Sequence, residues 1–319
     1  MKCIVSITMN SPDDLQTKDE WPEDDDGQRP HVLSFNSHDP SGAGGLMADS
    51  QTLSCVGVHA MAVATGTWVR DSVDVHDHIS FDEEVVRDQA VTLLEDVSVH
   101  VIKVGFCGTA ENLRVVAELC ADYGDVPVVA YMPSLNWWDV DQAEEYLDAF
   151  RELVLPQTTV LVGSHGTLSS WLLPDWDFHR PPQARDLAKA AADKGVPFVW
   201  VTGFAQGHQR IDNQLANAQS VLQTETVERL DAVFTGSGDT LSAALAGLLA
   251  SGADLEAACS EALSFLQGSL AYGFRPGMGN VLPDRLFWAH EDDNLQDTET
   301  QESPSLNPLD HLPISSSKH

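Results

Sequence analysis

"DAVFTGSGDTLSAALAGLLASG", residues 231–252, joins three kinds of sequence in one run. The apolar segment DAVFT reads as a short strand ending at Thr235. Gly236, Ser237 and Gly238 then form a bend whose backbone N–H groups can converge. From Asp239 the chain reads as a helix, with Leu241, Ala244, Leu245, Leu248 and Leu249 spaced as an inward stripe. A strand passing through glycines into a helix is the building unit of a parallel α/β sheet. The free N–H groups and partial positive charge at such a helix start suit a phosphoryl group. Asp239 stands where it could take a proton from a hydroxyl attacking phosphorus. The plainer alternative is a glycine turn with Asp239 as a simple helix cap, and spacing alone does not separate the two.

The rest of the chain repeats the unit. HVLSFNS, HAMAVATGTW, VHVIKVGF, VPVVAYM, TTVLVGS and VPFVWVTG read as strands. Between them GGLMADSQTLSCVG, FDEEVVRDQAVTLLEDV, TAENLRVVAELCADYG, VDQAEEYLDAFRELVLP and PQARDLAKAAADKG read as helices, and two more follow at 239–251 and 253–270. Short apolar strands between amphipathic helices predict an α/β fold with a mostly parallel sheet covered on both faces. Ligands in such folds sit at the C-terminal ends of the strands. Residues 31–290 are expected to form this domain. Residues 1–30 and 291–319, acidic and broken by proline, are expected to be disordered tails.

The formal charge of −32 limits the partners. The segments 1–30 and 289–319 carry 15 acids and 4 bases, so the stretch between them still holds −21. Such a field repels nucleic acid and anionic membranes, and it suits a protein that works in high salt. No apolar run reaches membrane-spanning length, and the start MKCIVSITMNSPDD is too short for a signal peptide, which predicts a cytoplasmic protein. The five scattered cysteines show no metal or disulfide spacing and read as free thiols.

A second motif, NSHDPSGAGGLMADSQT at 36–52, begins where a strand ends and runs into a helix. Its glycines permit close approach of backbone to a ligand, and Asp39 and Asp49 could orient a polar small molecule. The glycine spacing matches neither the P-loop nor the dinucleotide fingerprint. A loop with a helix cap is the alternative.

Together, HDPSGAGG…AD, KVGF at 103–106, TGSGDTLSAALAGLLASG and the closing PGMGNVLPDRLFW resemble the hydroxymethylpyrimidine and phosphomethylpyrimidine kinases of thiamine biosynthesis, within the ribokinase-like superfamily. The resemblance spans about residues 31–288. It implies a three-layer α/β/α sandwich and transfer of the γ-phosphate of ATP, with Mg2+, to a hydroxymethyl group or its phosphate ester. Carried over, it makes Gly236, Ser237 and Gly238 the anion hole and Asp239 the catalytic base, where pyrimidine kinases often have cysteine and pyridoxal kinases and ribokinases have aspartate. It places Asp49 on the pyrimidine and Ser37, Arg70 and Phe106 on other substrate-lining positions. Arg70 replaces the usual glutamine; a fixed cation can grip a phosphate or carboxylate, or form a surface salt bridge. A homodimer is implied as well.

Three departures stand against the pattern. Tyr131 replaces an aspartate of the magnesium and phosphate site. His165 and Leu168 occupy the places of an Asn-x-x-Glu motif, and Thr202 that of a lysine near the nucleotide. No metal ligand is assigned. Lone His165 and His208 read as structural, and Trp137 and Trp138 either stack a ring or pack under a loop. Two further readings follow: a non-catalytic relative that binds a pyrimidine-like ligand, and a kinase of a pyridoxal-type compound.

Overall fold

The computed structural model describes residues 29–290. The tails expected over 1–30 and 291–319 lie, save residues 29 and 30, outside the described residues. One nine-stranded sheet is built from β1 (His31–His38), β2 (His59–Arg70), β3 (Val75–Ser80), β4 (Val101–Val104), β5 (Val128–Met132), β6 (Val160–Ser164), β7 (Phe198–Gln206), β8 (Arg210–Ala216) and β9 (Val221–Glu228). The spatial order is β3-β2-β1-β4-β5-β6-β7-β8-β9. From β2 through β7 every pairing is parallel; β3 at one edge, and β8 and β9 at the other, run antiparallel.

Helices cover both faces, so the expected α/β class and mostly parallel sheet are found. Leu33, Phe35, Ile102, Val104 and Ala130 face one layer, with α2 (Glu83–Leu94), α3 (Ala110–Asp122), α4 (Val140–Ala149), α5 (His165–Leu172) and α6 (Ala184–Ala192) packed there. Val32, Val101 and Val129 face the other, under α1 (Gly45–Cys55), α7 (Ser237–Ala250) and α8 (Leu255–Ala271). Strand side chains alternate in direction, so Ser34 and Asn36 share the second face with Val32, Lys103 with Val101, and Tyr131 with Val129. That face is apolar where the strands begin and polar where they end.

Two expectations change. DAVFT is no strand: Phe234 makes only an isolated bridge to Val281. The sheet is already closed at that edge by β8 and β9, so the segment crosses toward α7 with no ladder to join. Conversely, β3, β8 and β9 went unread. Their sequences VHDHIS, RIDNQLA and VLQTETVE alternate with many polar residues, as antiparallel strands with one open face do. His208 lies in the turn between β7 and β8 and is exposed.

Candidate active site

The two glycine-rich motifs meet at the C-terminal ends of β1, β4 and β5. Gly236 has φ +88°, the left-handed conformation that favours glycine. A Cβ there would collide with the Ala43 carbonyl of the 36–52 motif. Helix α7 begins directly after it, so Ser237, Gly238 and Asp239 form its first turn. Arg285 fastens the junction: it is 4% exposed and donates to Thr240 Oγ1 (3.0 Å), the carbonyls of Gly42 (3.1 Å) and Ala43 (2.6 Å), and Gln51 Oε1 (3.3 Å). The sequence reading passed over it, although it lies in the quoted closing motif, where Asp284 precedes it and Leu286 follows.

A cavity of about 190 Å³ opens over this junction. Asp39, Arg70, Phe106, Gly236 and Asp239 line it, as does Trp137. Trp68 stacks on Phe106 at 4.7 Å between ring centroids, and Trp137 meets Trp68 edge-on at 4.8 Å, so one wall is aromatic. Trp138 lies behind that wall, stacked on Trp137 and packed against Phe106 and Tyr146.

The remaining site residues stand behind the lining. Ser37 is fully buried, within hydrogen-bond distance of His78 Nε2 (2.7 Å), Thr65 Oγ1 (3.0 Å) and the Phe106 carbonyl (3.1 Å). Asp49 is fully buried beneath the floor, where it accepts from Ser34 Oγ (2.7 Å), Asn36 Nδ2 (3.0 Å) and Lys103 Nζ (2.6 Å). Burial pushes its carboxyl up, and the Lys103 ammonium opposes that. Ser237 and Gly238 do not line the cavity; the Tyr131 ring covers Gly238, whose Cβ would strike the phenol. Burial, then the charges of Asp239 and Asp49, push the Tyr131 phenol up, so it is a neutral donor.

Asp39 organises its own loop. Its carboxylate accepts from Ser41 N (2.9 Å), Ser41 Oγ (2.6 Å) and Gly44 N (2.9 Å), and Arg70 pairs with it at 3.3 Å. Arg70 is thus an ion-pair partner inside the cavity wall, with its side chain one-tenth exposed.

Asn36, which the sequence reading did not select, is the hub. Its Oδ1 accepts from the N–H groups of Ser37 (2.9 Å) and Phe106 (3.1 Å). Its Nδ2 donates to Asp49 Oδ2 (3.0 Å) and Asp239 Oδ1 (2.9 Å). All four of its bonding positions are used, which fixes the amide orientation. Asp239 Oδ1 is therefore held, while no side-chain or backbone donor among the described residues reaches Oδ2. A carboxylate anchored by one oxygen and open at the other beside the cavity has the geometry that accepting a proton requires.

The positions that depart from the family pattern are occupied by packing. Leu168 is fully buried against Gly163. His165 packs tilted against Phe204, with ring centroids 4.4 Å apart, and bonds the Pro182 carbonyl at 2.8 Å. The Thr202 hydroxyl points to the Gly163 carbonyl at 3.5 Å.

The family model for phosphomethylpyrimidine kinase matches residues 39–284. A hydroxymethylpyrimidine/phosphomethylpyrimidine kinase of Streptomyces coelicolor is 28% identical over 264 residues, covering 82% of this chain and 95% of that protein. A pyridoxine kinase of Bacillus subtilis is 24% identical, covering 76% and 91%. The structure of a Staphylococcus aureus pyridoxal kinase in complex with AMP-PCP and pyridoxal superposes with a TM-score of 0.73 at 20% identity, covering 83% and 96%.

Proposed function

The chain belongs to the phosphomethylpyrimidine kinase family, and on that premise we propose that it transfers the γ-phosphoryl group of ATP to a hydroxymethylpyrimidine, or to its monophosphate, in the cytoplasmic synthesis or salvage of thiamine. The observation that carries the reading is Asp239, with Oδ1 held by Asn36 and Oδ2 left open beside the cavity. The substrate ring packs against Trp68, Phe106 and Trp137, whose faces suit a planar heterocycle. The hydroxyl of the pyrimidine gives its proton to Asp239 as its oxygen bonds to the γ-phosphorus and the bond to ADP breaks; with the monophosphate a phosphate oxygen makes the same attack. Of the three glycine-bend residues only Gly236 lines the cavity, so the positive end of α7 acts on the developing negative charge chiefly through its field. Arg70 stands in the wall as a cation within reach of an anionic substituent.

A resident magnesium site does not fit the side chains present. Asp39 and Asp49 are committed to internal partners, Leu168 lies in the core, and among the described residues no three His, Cys, Asp or Glu side chains group to hold a metal. Magnesium would therefore be supplied with the nucleotide rather than held by side chains of this site.

Two observations favour other readings. The packing roles of Leu168, His165 and Thr202 favour a relative that binds ligand without turnover. The likeness to a pyridoxine kinase favours a pyridoxal-type substrate. Incubation with MgATP at high salt and hydroxymethylpyrimidine, its monophosphate or pyridoxal, read by product mass, decides among them. A phosphorylated pyrimidine supports the proposal. A product from pyridoxal alone redirects it, and folded protein that gives no product overturns it.

A further inference from the structure

Lys103 interrupts an apolar strand, and its side chain is fully buried. Burying an ammonium costs several kcal/mol unless opposite charge and hydrogen bonds surround it. Asp49 Oδ1 lies 2.6 Å from Nζ, Asp239 Oδ1 lies 3.7 Å away, and the Tyr131 ring faces it at 5.9 Å. A structural ion pair with Asp49 needs only one carboxylate. Here the same ammonium also sits under the carboxylate that faces the cavity, on the oxygen that Asn36 already holds. Asp49 and Asp239 are bridged by Asn36 and would repel each other without the cation between them.

We propose that Lys103 is a positioning residue for Asp239: through Asn36 and the contact at 3.7 Å it anchors Oδ1 and keeps Oδ2 turned toward the substrate hydroxyl. The inference rests on the reading of Asp239 as proton acceptor. The charged and titratable groups around Asp239 come from every neighbouring element. They are Asp49 on α1, Lys103 on β4, Tyr131 on β5, Asp39 in the first glycine loop and Arg285 in the closing segment.

The test uses the full chain carrying Lys103→Met with Asp49→Asn. Lys103→Met alone strands a buried carboxylate and is expected to fold poorly. The pair of changes removes both charges and keeps an acceptor for Ser34 and Asn36. Binding of hydroxymethylpyrimidine, followed by tryptophan fluorescence, is expected to stay within about threefold of wild type, because neither residue lines the cavity. The kcat is expected to fall about 100-fold, the scale of a misplaced catalytic group. The acid limb of kcat against pH is expected to shift, and so is the titration of the Asp239 carboxyl carbon, followed by 13C resonance and assigned by its loss in Asp239→Asn, because the charges beside Asp239 change. A kcat within about threefold of wild type, or an unmoved carboxyl titration, overturns the proposal. If wild type forms no product, the kinase reading fails, and the 13C titration alone decides whether Lys103 governs Asp239.

Discussion

Asp239 Oδ2 occupies the space that a side chain on Gly44 would need: a Cβ built there would lie 2.8 Å from it. Two residues 195 positions apart thus depend on each other. Gly44 has φ −136°, an extended conformation open to any residue, so its importance is steric. Gly44→Ala is expected to leave Tm nearly unchanged while displacing the Asp239 carboxylate. The expected loss in kcat is roughly 10- to 100-fold. Steady-state kinetics beside a thermal melt check this, and an unchanged kcat would count against Asp239 as the acting group.

Asp239→Asn keeps the shape and removes the proton acceptor. Turnover is expected to fall by about 10²- to 10⁴-fold, the usual worth of a general base. Ligand binding by tryptophan fluorescence should persist. Undiminished turnover in this variant would sink the assignment.

Arg285→Met removes the clamp between the glycine loops while roughly preserving volume. Two backbone carbonyls, Thr240 and Gln51 lose their partner in a buried setting. The expected cost is about 3 kcal/mol, which for a domain of this size is a Tm drop of about 6–12 °C. Calorimetry reads it directly; a drop under about 2 °C would mean that the loops hold each other without the arginine.

Acid should loosen the wall behind the substrate site through His78. Burial pulls its imidazole down to about 4, with Asp77 opposing. The unfolded chain takes up this proton near pH 6.5 and the native ring only near 4, so the neutral ring's contribution is complete above 6.5 and is lost as pH falls through that window. The loss is on the order of 3 kcal/mol. His78→Gln should flatten the dependence of urea midpoint on pH between 6.5 and 4, relative to wild type. Parallel curves for the two proteins would show that His78 does not carry it.

The charge of −32 predicts a salt response. Self-repulsion between exposed carboxylates is screened as the Debye length shrinks to about 3 Å near 1 M salt. Tm is expected to rise steadily from 0.1 to 2 M KCl. A flat or falling curve would remove adaptation to high salt as the explanation of the acidic surface.

The sheet between β2 and β7 was legible because buried parallel strands are continuous apolar runs and their helices carry clear stripes. Asp39, Gly236 and Asp239 were legible as candidates because glycine motifs at strand ends mark where ligands approach, whereas Arg70 and Phe106 came only from the resemblance to the family. Asn36 and Lys103 were not selected, although each is a polar residue at an alternate position of an apolar strand. Their meaning depends on which face of the sheet they share, and one strand read alone does not disclose its neighbours.

The sequence alone determined the α/β class, the helix that begins at the second glycine motif, and the family. Local periodicity and backbone-specific residues are written in consecutive positions and need no partner to be read. Only the tertiary structure decided that Asp49 is sealed under Lys103, that Asp39 is spent on its own loop and Arg70, and that Asp239 keeps one oxygen open. Those outcomes are set by side chains up to about 200 residues apart competing for the same few hydrogen bonds in a space without water.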